Sequence, residues 1–228
     1  MRQSAALALW QLGGAQALSA LLERLTDQDA SVRLMAVQAL GQLGSAQALP
    51  ALLERLRDKD NNVRRAALHA LGSIDAPKAQ DAVTAVFQDT TEHRAVKAMA
   101  AAILLAFDHQ ESLSFLQGLA SSEGIADRIF AAEGLGSCST TSGTAILMQL
   151  LQDDNMQVKT KAITSLGQLK ATTAIPALSP LVTDAIAETN VSMQMAAVTA
   201  LSQMQGDRIL IPCNDVDRRL ESDLITGS

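Results

Sequence analysis

A near-identical segment occurs twice near the amino terminus of this sequence. Residues 11–25 read QLGGAQALSALLERL and residues 42–56 read QLGSAQALPALLERL, so thirteen of fifteen positions are identical at an offset of 31 residues. A fixed period of this size is the sequence signature of a solenoid, in which each repeat buries its apolar face only against its neighbours. The repeat therefore restricts the chain to a stack of similar units.

The period continues along most of the chain. Aligning the pattern Val-Arg-x-x-Ala-x-x-Ala-Leu-Gly gives units that begin at residues 1, 32, 63, 96, 127, 158 and 193. In each unit apolar residues recur three and four positions apart, which predicts an amphipathic helix, called helix B here. A glycine usually ends helix B, and a second helix, called helix A, follows it. In the second unit we predict helix B over residues 32–43 and helix A over residues 46–56, with Pro50 in the first turn.

The composition supports an all-α class. Apolar residues make up 48% of the sequence and aromatic residues only 2%, so the apolar content is mainly the alanine and leucine of closely packed helices. We therefore predict an all-α protein, a right-handed α-solenoid of about seven helix pairs over residues 1–206. Residues 207–228 leave the repeat, and we expect them to form a tail or a short capping helix.

Charge and targeting signals narrow the partners and the location. A formal net charge of −6 argues against nucleic acid, which is bound by a concentrated cationic face. The longest apolar run, residues 95–107, is too short to cross a bilayer, so no membrane partner is expected. The amino-terminal letters look like a secretory signal, but they recur as repeat sequence inside the chain. Cys138 and Cys213 lack metal-type spacing, which predicts free thiols and a cytoplasmic location.

A basic residue lies at the second position of the pattern in the first six units. These residues are Arg2, Arg33, Arg64, Lys97, Arg128 and Lys159. Acidic residues recur with the same period in the turn before helix B, for example Asp58 and Asp60, where short acidic side chains can cap the helix. We therefore predict that each basic residue pairs with an acid of its own or a neighbouring repeat. The alternative is a basic stripe for an acidic ligand.

With these framework residues the sequence resembles the HEAT-like repeat family first named for phycobilisome lyases and found in many bacterial adaptor proteins. The resemblance covers residues 1 to about 205 and weakens where no glycine follows Leu104 or Leu201. It implies a HEAT-like scaffold, and we expect an adaptor that binds a protein or peptide on its concave face. The alternative is a bilin lyase or chromophore-handling subunit that works with a second HEAT-like chain.

The B helices of such solenoids line the concave face, and we predict the binding surface there. Around the fourth and fifth units the outward positions form an apolar floor, with polar groups at its rim, as in many recognition surfaces. The floor residues are Ala98, Ala102, Leu105, Ala106 and Phe130. The rim residues are Arg65 and His69 on one side and Glu133 on the other. The sequence leaves open that the irregular fourth unit packs differently and buries the floor.

No catalytic or metal site is predicted. The three histidines, His69, His93 and His109, lie in different units or loops, and none is followed by the glutamate that the similar metal enzyme deoxyhypusine hydroxylase pairs with histidine. Neighbouring B helices lie roughly 10 Å apart, so His69 and Glu133, two units apart, are expected roughly 20 Å from each other. We expect no cofactor, with a bilin only under the lyase alternative.

The amino-terminal end carries a separate prediction. Met1 aligns with Val32, so the sequence opens on a B helix with no A helix before it. Leu7 and Trp10 then lack the cover that later units receive. Either the Trp10 indole caps the stack, or Leu7 and Trp10 form an end-to-end interface with a second solenoid chain, since large aromatic residues dominate interface energetics.

Overall fold

The computed structural model describes residues 15–137, 140–183 and 191–205 of the 228-residue chain. These ranges are helical and contain no strand, which confirms the predicted all-α class. Their α-helices, numbered here in chain order, are α1 Ala15–Arg24, α2 Ala30–Leu43, α3 Leu49–Arg55, α4 Asn61–Gln88, α5 Arg94–Leu104, α6 Gln110–Ala120, α7 Ile125–Leu135, α8 Thr141–Leu150, α9 Met156–Gln168, α10 Ile175–Thr183 and α11 Val191–Gln205.

The second unit follows its sequence signals closely. Helix α2 begins after Asp29, whose carboxylate accepts a 2.8 Å hydrogen bond from the amide of Ser31. It ends at Gly44, which adopts the left-handed conformation with φ of 64°, so the glycine serves the role that the sequence assigns to it. Helix α3 follows the 3₁₀ turn Ala46–Ala48 and carries Pro50 in its first turn. The predicted helices B and A of this unit are confirmed.

The third and fourth units depart from the regular pattern in two places. Helix α4 contains both helices of the third unit, joined across non-helical backbone at Asp75 (φ −161°, ψ 79°) with Pro77 just beyond. Helix α5 has no glycine after it, and the 3₁₀ turn Leu105–Phe107 follows instead. Asp108 then takes the left-handed conformation with φ of 54°, which aspartate tolerates better than most residues. An aspartate thus replaces the missing glycine as the helix stop.

The helices stack in two layers. The B helices pack in succession, α2 on α4, α4 on α5, α5 on α7, α7 on α9 and α9 on α11. The A helices α1, α3, α6, α8 and α10 each pack against the B helix that follows them in the chain, and α6 and α8 also pack against the B helix before them. Leucine and alanine from both layers fill the core between them, as the apolar residues three and four positions apart predict. The described ranges therefore form an α-solenoid.

Small residues let successive B helices come very close. A Cβ atom added to Gly134 of α7 would lie 2.7 Å from the carbonyl oxygen of Ala98 in α5. One added to Gly41 would lie 2.8 Å from the Cβ of Ala70, and one added to Gly167 would meet the Cα of Ala200 at 2.7 Å. Each glycine therefore makes room for the neighbouring helix.

Arginine–carboxylate pairs link adjacent repeats along the edge where helix A turns into helix B. We call this set the turn ladder: Arg33–Asp58, Arg64–Glu92 and Arg128–Asp153. Arg33 donates from Nε and Nη2 to Asp58, both at 2.7 Å, and from Nη1 to the carbonyl of Asp27. Burial opposes ionisation of Asp58, but the Arg33 hydrogen bonds and charge outweigh it and lower the pKa of the carboxyl. The predicted pairing of bases with turn acids is confirmed for these three arginines.

Several predictions lie outside the described residues. They concern the first B helix, the tail over residues 207–228, and both cysteines. Across the ranges that the structure covers, no helix has the length and apolar character needed to span a bilayer.

Candidate binding groove

An open groove of about 640 Å³ runs along the B-helix side of the stack. Helices α2, α4, α5, α7 and α9, or the turns that follow them, supply its walls. Six of the fourteen lining residues have polar uncharged side chains: Gln38, Gln42, Asn62, Ser73, Ser137 and Gln168. Apolar and glycine positions make up the rest: Leu34, Gly41, Ala66, Ala70 and Met99. The charged or titratable lining residues are Arg65, His69 and Glu133.

The repeat places these side chains in rows. Gln38, His69 and Glu133 occupy the same outward position of successive or alternate B helices. Four other lining residues share the position four residues further on: Gln42, Ser73, Ser137 and Gln168. Gln38, Gln42 and Gln168 are exposed, so their amides point into solvent within the groove. The same rows can be read from the repeat alignment of the sequence.

Two of the rim residues meet directly. Arg65 Nη1 lies 2.7 Å from Glu133 Oε2, although the two residues are 68 positions apart and belong to alternate repeats. Lys161 Nζ of α9 approaches the other oxygen of Glu133 at 3.3 Å. We call Arg65, Glu133 and Lys161 the groove ion pairs. The long side chains of Arg65 and Glu133 thus bridge two B helices that are not neighbours in the stack.

The predicted apolar floor is wrong for three of its residues. Ala98 and Ala102 are fully buried and Leu105 is nearly so. Helix α5 lies between α4 and α7, which pack against it from both sides, and the backbone of Gly134 touches that of Ala98. The structure thus realises the alternative that the sequence left open, in which the irregular fourth unit buries these residues.

The other two floor residues lie outside the lining of the groove. Ala106 is exposed on the 3₁₀ turn after α5. Phe130 is half-buried and meets the edge of His93 with ring centroids 5.7 Å apart, at the amino-terminal end of α5. Of the predicted site residues, the structure brings Arg65, His69 and Glu133 together in the groove. Leu7 and Trp10 lie outside the described residues.

The three histidines have different roles. His93 and His109 cap helices, since Nδ1 of each accepts a hydrogen bond from a backbone amide of α5 and α6 respectively. His69 instead faces the groove. His69 is exposed, yet neighbouring protein atoms reduce the hydration of its ring, and this desolvation lowers the pKa of His69 below its ordinary value of 6.5. The neutral ring carries one donor and one acceptor nitrogen.

A smaller groove of about 210 Å³ continues the same side of the stack between α9 and α11. It shares Gln168 with the larger groove and adds Thr164, Thr199 and Gln203, again polar and uncharged. Met195, 65% exposed, lies at its edge. Within the described part of the chain, no three His, Cys, Asp or Glu side chains cluster in a way that could hold a metal ion.

Comparison with known proteins places this fold in a family. The sequence profile of HEAT repeats matches residues 1–66, 18–103, 49–124 and 114–190. The complex of CpcE and CpcF of phycocyanin lyase from Nostoc sp. PCC7120 is similar in structure, with 21% identity over 89% of this chain and 82% of that chain and a TM-score of 0.58. Human deoxyhypusine hydroxylase in complex with glycerol is 20% identical over 88% of this chain and 78% of that chain, with a TM-score of 0.45.

At such identity, the likeness to the phycocyanin lyase complex shows the fold alone. No curated protein sequence matches the chain. The repeat profile, however, covers residues 1–190 without interruption, and the helical stack agrees with it. The chain therefore belongs to the HEAT-repeat family.

Proposed function

We propose that this protein is a scaffold that binds an extended polypeptide segment of a partner in its concave groove. The observation that carries the proposal is the set of amide side chains distributed along the groove, from Gln38 and Gln42 to Asn62 and Gln168. Each such amide both donates and accepts hydrogen bonds. The main chain of an extended peptide presents the same two groups at every residue, so the groove can satisfy it whatever its side chains are.

The dimensions suit a segment rather than a single side chain. Five B helices spaced by roughly 10 Å span about 40 Å in a straight stack, and less where the stack curves. An extended chain advances about 3.3 Å per residue, so the groove accommodates roughly ten residues. Leu34, Ala66 and Met99 add apolar contact between the polar rows, and methionine adapts to side chains of different shapes.

A second candidate is bilin handling together with another HEAT-repeat chain. The structural likeness to the phycocyanin lyase complex favours it. The groove also holds a guanidinium, that of Arg65, which could pair with a carboxylate of an acidic tetrapyrrole. Against this candidate, the amide rows have no evident use in binding a tetrapyrrole. We therefore rank peptide binding first.

The test is selection from a displayed library of random twelve-residue peptides. The groove variant replaces Gln38, Gln42 and Gln168 by alanine. Its matched control replaces Gln47, Gln88 and Gln117, which are equally exposed and lie outside the groove lining. Because all six glutamines are exposed, neither variant disturbs the core. We expect peptides selected on the wild type to lose at least tenfold in affinity for the groove variant and to bind the control unchanged.

Two other results would reverse the ranking. Equal binding by both variants would place the peptide site elsewhere on the molecule. Failure to select any peptide, together with a shifted and intensified red absorption band when a free bilin is added to the wild type, would favour the second candidate. In that case Arg65→Ala should abolish the spectral change.

A further inference from the structure

The groove ion pairs contain more positive than negative charge. Arg65 and Lys161 flank the single carboxylate of Glu133, and His69 is the remaining titratable residue of the lining. The chain as a whole has a formal charge of −6. A local excess of cations attracts an anionic group to that place, whereas the remaining acidic surface repels it.

Arg65 also has hydrogen-bond donors to spare. A guanidinium offers five N–H donors, and in the described part of the chain the side-chain hydrogen bond of Arg65 runs from Nη1 alone. Arg33 of the turn ladder, by contrast, donates from Nε, Nη1 and Nη2. The Arg65 side chain is 27% exposed and that of Lys161 is 36% exposed, so a ligand in the groove can reach both.

We infer that the partner segment carries an aspartate or glutamate near its middle, which binds Arg65 and Lys161 in competition with Glu133. The inference rests on the proposed peptide-binding function. While the groove is empty, Glu133 occupies the place of the partner's carboxylate, and its negative charge partly neutralises the two cations. A carboxylate matches the remaining N–H donors of Arg65 in geometry and charge.

The inference makes an unusual prediction for Glu133, because removing a groove residue should strengthen binding. The probes are three twelve-residue peptides of alternating serine and alanine that carry one central residue, Glu, Gln or Lys. The affinities are measured by NMR. Each peptide is added to the isotope-labelled protein up to millimolar concentration at low salt, and the shifts of the amide resonances are followed. Glu133→Gln leaves both cations unopposed and should raise the affinity for the Glu peptide about three- to tenfold.

The same substitution should change the affinity for the Gln peptide less than twofold. Arg65→Gln and Lys161→Gln should each lower the affinity for the Glu peptide, and the Lys peptide should bind the wild type most weakly of the three. Circular dichroism and thermal unfolding verify that each variant is folded. Should Glu133→Gln unfold the protein, the Lys161→Gln and Arg65→Gln variants still test the cationic site.

The outcomes separate this inference from the function on which it rests. If the Lys peptide binds best and loses affinity in Glu133→Gln, the partner is basic and the inference is wrong, while peptide binding stands. Equal affinities for the three peptides would also reject the inference of an acidic partner, and the proposal of peptide binding would still stand. If no peptide shifts any groove resonance of the wild type, both proposals fail.

Discussion

The turn ladder and the groove ion pairs use the same arginine–carboxylate chemistry in different surroundings. In the turn ladder the side chains of Arg33 and Asp58 are 5% and 3% exposed. In the groove those of Arg65 and Glu133 are 27% and 29% exposed. The first pair is enclosed and complete, and the second remains accessible to solvent and to ligands. The position of a pair, rather than its chemistry, thus decides whether it serves the fold or a binding surface.

The two sets also differ in which repeats they connect. The turn ladder joins adjacent repeats, 25 to 28 residues apart, as nearest-neighbour stacking in a solenoid requires. Arg65 and Glu133 join alternate repeats, 68 residues apart, across α5. A ligand that competes with Glu133 therefore acts on a contact between alternate repeats.

The largest effect should come from Asp58→Asn in the turn ladder. The substitution keeps the shape of the side chain but leaves the buried guanidinium of Arg33 without its counter-charge. Removing one partner of a buried ion pair destabilises a protein by about 3–5 kcal/mol. Urea unfolding followed by circular dichroism measures the loss.

The matched control is Arg94→Gln, because the Arg94 side chain is 67% exposed in its pair with Asp127. An exposed pair contributes about 0–1 kcal/mol. Similar losses for Asp58→Asn and Arg94→Gln would mean that burial does not distinguish the two classes of pair.

An intermediate effect is expected at the helix contact beneath the groove. Gly134→Ala places a Cβ atom 2.7 Å from the carbonyl oxygen of Ala98, so α5 and α7 must separate. Overpacking of this kind costs about 1–3 kcal/mol. Gly118→Ala is the control, since a Cβ atom there meets nothing within 4 Å, and replacing glycine within a helix should stabilise the protein by about 0.5–1 kcal/mol. Equal midpoints of thermal unfolding for the two variants would show that the two helices are not in close contact.

A smaller effect on stability is expected for Glu133→Gln. Its partners Arg65 and Lys161 are partly solvated, so the free energy of unfolding should fall by less than about 1 kcal/mol. The same urea titration serves, with Asp58→Asn as the reference. A loss comparable with that of Asp58→Asn would show that the groove ion pairs hold the stack together as the turn ladder does.

The sequence was sufficient for the fold because the repeat carries its own signals. Asp29 and Gly44 mark the ends of α2, and both act as caps in the structure. The pairing of Arg33 with a turn acid followed from a shared period, since residues that recur together in a solenoid recur at one edge of the stack. Local signals of this kind depend on contacts between adjacent units, and the same contacts recur in every repeat of a solenoid.

The binding surface was predicted only in part, because the exposure of an outward residue depends on how the neighbouring helices pack. Outward positions of a helix can be read from its pattern, which located Arg65, His69 and Glu133 on the groove side. Whether Ala98 on that same side is exposed depends on how closely α4 and α7 approach over α5, and on the contact of Arg65 with Glu133. Both are relations between alternate repeats, which no single unit encodes.

The smallest effect concerns the titration of His69, which sharpens the contrast between the groove and the turn ladder. Desolvation lowers the pKa of His69 below 6.5, so the unfolded chain binds a proton at this residue more readily than the folded protein does. The stability associated with neutral His69 is thus fully present above pH 6.5 and is lost as the pH falls through the lowered pKa.

His69→Gln removes this dependence while keeping a polar side chain in the groove. The urea midpoint of the wild type should therefore fall relative to that of His69→Gln between pH 7.5 and pH 5, because only the wild type loses the His69 contribution. The carboxyls of Asp58 and Asp153 in the turn ladder do not obscure the comparison, since the pKa of each is lowered from 3.8 and lies below this window. If the wild type instead gains stability relative to His69→Gln on acidification, an anionic partner such as Glu133 must bind the protonated ring. The groove ion pairs would then include His69, and the division between an enclosed ladder and an accessible groove would need to be redrawn.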